Sequence, residues 1–256
     1  MRVLRAHDDG PISPRDGGGG LTDPGYAGAV TAVLRCPSHF ILDRADGAGK
    51  DRGVHPDART RTQHAVVAVV AAACVAGVHA LAVHTSAGRT TDTRVLALVG
   101  NLAGMPGADV PATVAGWVRA GLPLVLASTV LVLGVLAIRR GAWRALVASV
   151  LLVAGSATLS LVLRDLVLAA PPGSTGTYPS THVTIVACLC VAGLWLRPAG
   201  WPRRETRWVA AALVVVAAAA SVATHAHLPS DVLGSVLLVA AVGSLLATAL
   251  VPSVRP

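Results

Sequence analysis

The sequence predicts an all-α, polytopic membrane protein: a bundle of six transmembrane helices preceded by a disordered N-terminal tail. Three observations carry this expectation. Of 256 residues, 54% are hydrophobic and only 13% charged, with a mean hydropathy of +0.65, whereas an ordinary soluble domain carries about 25% charged residues. The apolar residues gather into long runs of Ala, Val and Leu, and crossing a hydrocarbon core takes about 20 of them. Small residues recur in these runs, as in Ala71-Ala72-Ala73 and Ala217 to Ala220, which lets helices approach closely in lipid.

Residues 1–63 form the expected tail, placed in the cytoplasm, and 64–256 the membrane domain. The tail holds the Gly17–Gly20 run, scattered prolines and mixed charges, with no sustained apolar period. Asp8 and Asp9 precede any apolar core of the needed length, so the start is not a secretory signal peptide. The patch from Tyr26 to Leu34 is too short to span a bilayer.

Six segments then qualify or nearly do: Ala65–Val83, Ala120–Ile138, Ala145–Leu163, Tyr178–Leu196, Trp208–Thr224 and Val232–Val251. The fourth reaches the length only if its first turn includes Ser180 and His182. Arg139, Arg140 and Arg144 follow the second span, and Arg197, Arg203, Arg204 and Arg207 follow the fourth. The positive-inside rule puts these two connections, and both termini, in the cytoplasm. The polar connections after the third and fifth spans then share the outer face. The first outer connection runs from Ser86 to Arg119. Val95, Leu98, Val99 and Leu102 recur there at helical spacing, which predicts a short interfacial helix broken by Gly104, Pro106, Gly107 and Pro111.

The formal net charge of +8 does not point to nucleic acid. Residues 1–64 carry nine basic and eight acidic side chains, and most remaining arginines fall in the two cytoplasmic connections. Membrane topology accounts for them. Cys74, Cys188 and Cys190 lie inside apolar spans and Cys36 in the tail, with no C-x-x-C pair or disulfide framework.

The remaining ionisable groups sit at the ends of spans, where such groups call for a functional explanation. In Pro179-Ser180-Thr181-His182, Ser180 is a predicted N-cap and His182 lies in the first helical turn. A helix N-terminus of this kind holds anions such as phosphate. In the turn before the last span, Asp231 follows His227 by four residues, so its carboxylate can fix the imidazole tautomer and leave the other nitrogen to attack. Pro229 suits the first helical turn. Arg164 closes the third span on the same side, where a guanidinium can pair with phosphate oxygens unless Asp165 neutralises it.

In order and spacing these motifs resemble the type 2 phosphatidic acid phosphatase superfamily, six-helix membrane phosphatases related to the vanadium haloperoxidases. The family pattern is Lys-x6-Arg-Pro, then Pro-Ser-Gly-His, then Ser-Arg-x5-His-x3-Asp. Arg164 falls on the lysine and Pro172 on the proline. Pro179-Ser180-Thr181-His182 matches the second motif with Thr181 in place of glycine, and His227-x3-Asp231 closes the third, followed by Val232-Leu233-Gly234. The resemblance implies a membrane lipid phosphatase without a metal or other cofactor, acting on a lipid phosphate or polyprenyl diphosphate at the outer face of the cell membrane. His227 would be the nucleophile, Asp231 its orienting partner and His182 the general acid. Arg164, Ser180 and the backbone at Thr181 would bind the phosphoryl oxygens. Two family arginines are missing: the first falls on Pro171 or Ala170, the other on Ser221. His225, Arg89, Arg94 and Arg119 are the candidate substitutes.

Two other functions fit the same residues. A degenerate member would bind a lipid head group or a partner without turnover. A transporter would use His225-x-His227 with Asp231 and His182 as a metal site.

Overall fold

In the computed structural model, residues 58–103, 109–168 and 178–250 are described, and all of them lie in one compact unit. They are mostly helical, joined by short turns, with no strand among the described residues. The order is α1 (Ala58–His84), α2 (Ser86–Ala103), α3 (Asp109–Arg139), α4 (Trp143–Val162), α5 (Thr181–Leu196), α6 (Arg203–Ala223) and α7 (Pro229–Ala249), with a π-helical turn, Leu163–Val167, continuing α4. Among the described residues, five helices are long and apolar enough to cross a membrane: α1, α3, α4 with its π-turn, α6 and α7.

The fourth expected span behaves differently. α5 has 16 residues, about 24 Å of helix at about 1.5 Å per residue, which is short of the bilayer core. It lies in the middle of the bundle, packed by α3, α4, α6 and α7. Val183, Val186, Cys188 and Ala192 are fully buried on it. Both its cysteines face the protein core, whereas Cys74 on α1 is exposed. The longer helices carry the outward apolar surface, including Val69, Leu124, Leu131, Val150 and Val215.

Small residues occupy the close approaches, as expected. Ala137, Ala148, Ala187, Ala192 and Ala217 are buried to within a few percent. One core cluster joins Leu152 of α4, Ala187 and Cys188 of α5 and Val239 of α7. Another joins Val186 and Cys190 of α5 to Ala217 of α6, with Leu122 and Leu126 of α3 against it.

Several boundaries differ from expectation. α1 begins at Ala58, so residues 58–63 of the expected tail are helical, extending the span with a polar first turn. Residues 1–57, including Cys36 and the Tyr26 to Leu34 patch, lie outside the described part. The helix expected between the first two spans is longer than its apolar residues alone implied, running over Ser86–Ala103. Pro111 does not break structure but sits near the start of α3, where a missing N–H costs nothing. Gly104, Pro106 and Gly107 lie outside the described residues.

The corner between α1 and α2 is tight. Thr85 Oγ1 donates to Leu81 O at 2.6 Å and accepts from Gly88 N at 3.0 Å. A Cβ on Gly88 would overlap the Leu81 backbone, so glycine is required for α2 to fold back.

The two arginine-rich connections meet at one end of the bundle. Arg140 Nη2 donates to Leu196 O, the C-terminus of α5, at 2.8 Å, a favourable place for a cation. Arg197 is crowded by Arg203 and Arg207, and burial first, then these like charges, lowers its pKa. Trp143, Trp201 and Trp208 stand exposed at this end and Trp117 towards the other, consistent with aromatic belts at two interfaces. About 33 Å of α3 separates Trp117 from Arg139 at about 1.5 Å per residue, close to the thickness of a bilayer core.

Candidate functional site

At the opposite end of the bundle, the N-termini of α5 and α7 are tied together. Ser180 N donates to Asp231 O at 3.2 Å. Ser235 Oγ reaches both Ser180 O and Asp231 O at 2.8 Å. Ser180, Asp231 and Ser235 are all buried. The two motifs, some fifty residues apart in sequence, therefore form one polar layer.

Ser180 caps α5 as its sequence predicts: its extended backbone leaves Oγ to accept from Val183 N at 3.4 Å. His182 sits in the first turn, and its Nε2 is buried without a hydrogen-bond partner among the described residues. Arg119 of α3 and His227 lie within electrostatic reach of His182.

α7 begins at Pro229, and Asp231 folds back so that Oδ2 accepts from Leu228 N at 3.0 Å. His227 Nδ1 lies 3.6 Å from the same oxygen, with side chains only 10% and 3% exposed. That separation is an electrostatic contact beyond hydrogen-bond range, and catalytic contacts are often long before substrate arrives.

Arg164 lies in the π-helical turn, a distortion often found at functional positions. It is committed to its neighbour: Nε to Asp165 Oδ1 at 2.7 Å and Nη2 to Oδ2 at 3.2 Å. Its remaining nitrogen, Nη1, reaches Thr181 Oγ1 at 3.4 Å, and Ser160 Oγ also approaches that hydroxyl at 3.4 Å. The guanidinium thus reaches the α5 N-terminus with its charge compensated. Pro171, Pro172 and Ala170 lie outside the described residues. Ser221, at the other missing arginine, is fully buried in α6 with no hydrogen-bond partner for Oγ among the described residues.

Among the proposed substitutes, Arg89 turns away, donating from Nη1 to Val83 O at 2.7 Å. Arg94 is exposed on α2. His225 has a structural task. Its φ of 51° reverses the chain after α6, with His225 N donating to Val222 O at 2.9 Å and Ala226 N to Ser221 O at 3.1 Å. That pair of bonds is a Schellman cap, in which glycine usually holds the left-handed position. The His225 side chain is exposed, whereas His227 is mostly buried. Among the described residues no three His, Cys, Asp or Glu side chains are arranged to hold a metal.

The sequence motifs did not single out a second group of residues at this layer. Asp92 of α2 is buried, and its two oxygens accept from Ser230 N at 3.2 Å and Ser230 Oγ at 2.6 Å. Burial raises its pKa, the two bonds from Ser230 oppose this, and the nearby Asp231 adds to the rise. Tyr178 donates to Val75 O at 2.6 Å and stacks at 5.0 Å on His79, a buried residue of α1. A Cβ on Gly234 would overlap the Tyr178 ring, which gives Gly234 a steric reason. One signal was available: His79 is an ionisable group inside an apolar span.

No protein-family model, curated protein or solved structure matches this chain.

Proposed function

We propose that this protein is a membrane phosphatase-like protein that hydrolyses a lipid phosphate or polyprenyl diphosphate through a phosphohistidine intermediate. The observation that supports it most is the shared polar layer at one bundle end, where the bond from Ser180 N to Asp231 O joins the first turn of α5, which carries His182, to the turn that carries His227. In this reading α5 is a sixth, protein-sheathed span and the N-terminal tail is cytoplasmic. The arginine-rich end faces the cytoplasm and the histidine layer faces the outer leaflet of the cell membrane.

His227 Nε2 attacks phosphorus while the bond to the leaving oxygen breaks, and His182 gives that oxygen its proton. Asp231 holds Nδ1 and stabilises the cationic imidazole. Water then cleaves the P–N bond, with His182 taking up a proton, which releases phosphate and restores both imidazoles. Ser180 Oγ, which accepts from Val183 N in the cap, donates to no described residue and has its proton for a phosphoryl oxygen. The Thr181 backbone and Arg164 complete the cradle. No resident metal takes part.

The test is phosphate release from a panel of lipid phosphates by purified protein, beside His227→Ala. Release lost by at least about 100-fold in the variant is the expected result, since a positioned acid or base is worth about 100- to 10,000-fold. Undiminished release in His227→Ala would exclude the mechanism.

One observation favours a second reading, binding without turnover: Arg164 is compensated by Asp165 and Ser221 carries no charge. It predicts saturable binding of lipid phosphate with no phosphate released, and turnover of any lipid phosphate sinks it.

A further inference from the structure

We propose that Arg119 supplies the missing cation of this site, binding the phosphoryl oxygens beside His182 from a helix outside the recognised motifs. The inference rests on the phosphatase-like reading and adds to it the group that takes the place of the lost arginines.

The argument begins with helix register. α3 and α5 run side by side in the same direction. Leu133 and Ala137 cluster with Leu196 at the cytoplasmic end proposed above. Val130 packs at Gly193, 3.9 Å from where a Cβ would stand. Leu126 and Leu122 pack with Cys190 and Val186. Residues three or four apart share a helix face. One turn beyond Leu122 is Arg119, and one turn beyond Val186 is His182, so the packed seam brings these two level at the polar layer.

Three further facts bear on what Arg119 does there. It lies on α3 two residues beyond the exposed Trp117, at the interface end of this apolar helix, where a long cationic side chain can reach the polar layer. Its side chain is half-buried rather than extended into solvent. Arg164 spends two of its nitrogens on Asp165, whereas Arg119 forms no ion pair with a described carboxylate. His182 Nε2 is buried and without a described partner, so the register brings a guanidinium with no ion pair among the described residues to the level of a nitrogen free to hydrogen-bond. A phosphoryl group satisfies both: its charge meets Arg119, and its bridging or terminal oxygen meets His182.

The experiment compares full-length wild type, Arg119→Gln, Arg119→Lys, His227→Ala and Arg144→Gln, a change at the arginine-rich end. Substrates are phosphatidate in mixed micelles and a soluble aryl phosphate. Phosphatidate binding is measured in parallel, and gel filtration with circular dichroism checks folding. The expected result is a loss of about 100- to 1000-fold in kcat/KM for Arg119→Gln on both substrates, the usual cost of one oxyanion donor. Arg119→Lys recovers part of it, and Arg144→Gln matches wild type. If Arg119→Gln does not fold, Arg119→Met keeps the apolar stem and takes its place.

A wild-type rate in the folded Arg119 variant, with His227→Ala inactive, overturns this inference and leaves the phosphatase reading standing. A loss confined to phosphatidate overturns it too, because Arg119 would then contact the lipid and not the phosphoryl group. If wild type binds phosphatidate without turnover, loss of binding in Arg119→Gln supports the inference and unchanged binding overturns it. Wild type that neither binds nor hydrolyses phosphatidate or the aryl phosphate overturns both readings.

Discussion

The first turn of α7 is held differently on its two sides. On one side Asp231 reaches back to Leu228 N and His227, partners three and four residues away. On the other, Ser230 is gripped by Asp92 and Gly234 is filled by Tyr178, whose hydroxyl is anchored on Val75. The first side carries ionisable groups in the pattern of a chemical site. The second consists of a buried carboxylate, an aromatic ring and a glycine that fix where the turn sits. A histidine and carboxylate four apart can occur on any helix; bonds through Ser180 and Ser235 hold this pair against α5, and the second side fixes the turn against α1 and α2.

The largest effect expected from disturbing the second side comes from Gly234→Val. A branched side chain must displace the Tyr178 ring from a packed position, and overpacking costs about 1–3 kcal/mol, with loss of the Tyr178–Val75 hydrogen bond adding about 1 kcal/mol. Thermal unfolding in detergent should register a large fall. A variant as stable as wild type would mean that the ring is not confined there.

Asp92→Ala comes next, because it leaves Ser230 N and Oγ without their buried acceptor, at about 1–3 kcal/mol. Asp92→Asn separates the hydrogen bonds from the charge. Its amide can accept from Ser230 N and donate to Ser230 Oγ, so it should match or exceed wild type near neutral pH.

The pH dependence carries the same contrast. The carboxyl has its pKa raised above 3.8, chiefly by burial. Just above that value the native state holds more protons than the unfolded state, so its contribution to stability falls as pH rises through the raised pKa. The stability of wild type relative to Asp92→Asn should decline over that window, and a constant difference would refute it.

The smallest effect should come from His225→Gly, on the chain entering the turn. A non-glycine residue at φ of 51° is mildly strained, so glycine should leave stability unchanged or raise it by up to about 1 kcal/mol. Phosphate release should be unaltered. A large loss of release would give the His225 side chain a role beyond the cap.

Local features were legible in advance for a simple reason: their partners are close in the chain. The Ser180 cap closes over three residues, and the His227–Asp231 contact over four. The helical character of α1 and α3 through α7 followed from unbroken apolar runs, although α5 proved a short, sheathed helix that its composition alone did not distinguish. Pro111 was misjudged because proline in a helix's opening turn costs nothing, and only the observed start of α3 shows that it occupies one.

What the amino-acid sequence determined by itself is five helices long and apolar enough to cross a membrane, the Ser180 cap and the local pairing of His227 with Asp231. Tertiary structure alone decided that Asp92 holds Ser230 across 138 residues and that Tyr178 fills the gap at Gly234. The physical reason is rotational. Helices such as α1 and α5 are apolar all round, so hydrophobicity does not say which face turns inward, and only packing against neighbours settles which polar groups meet.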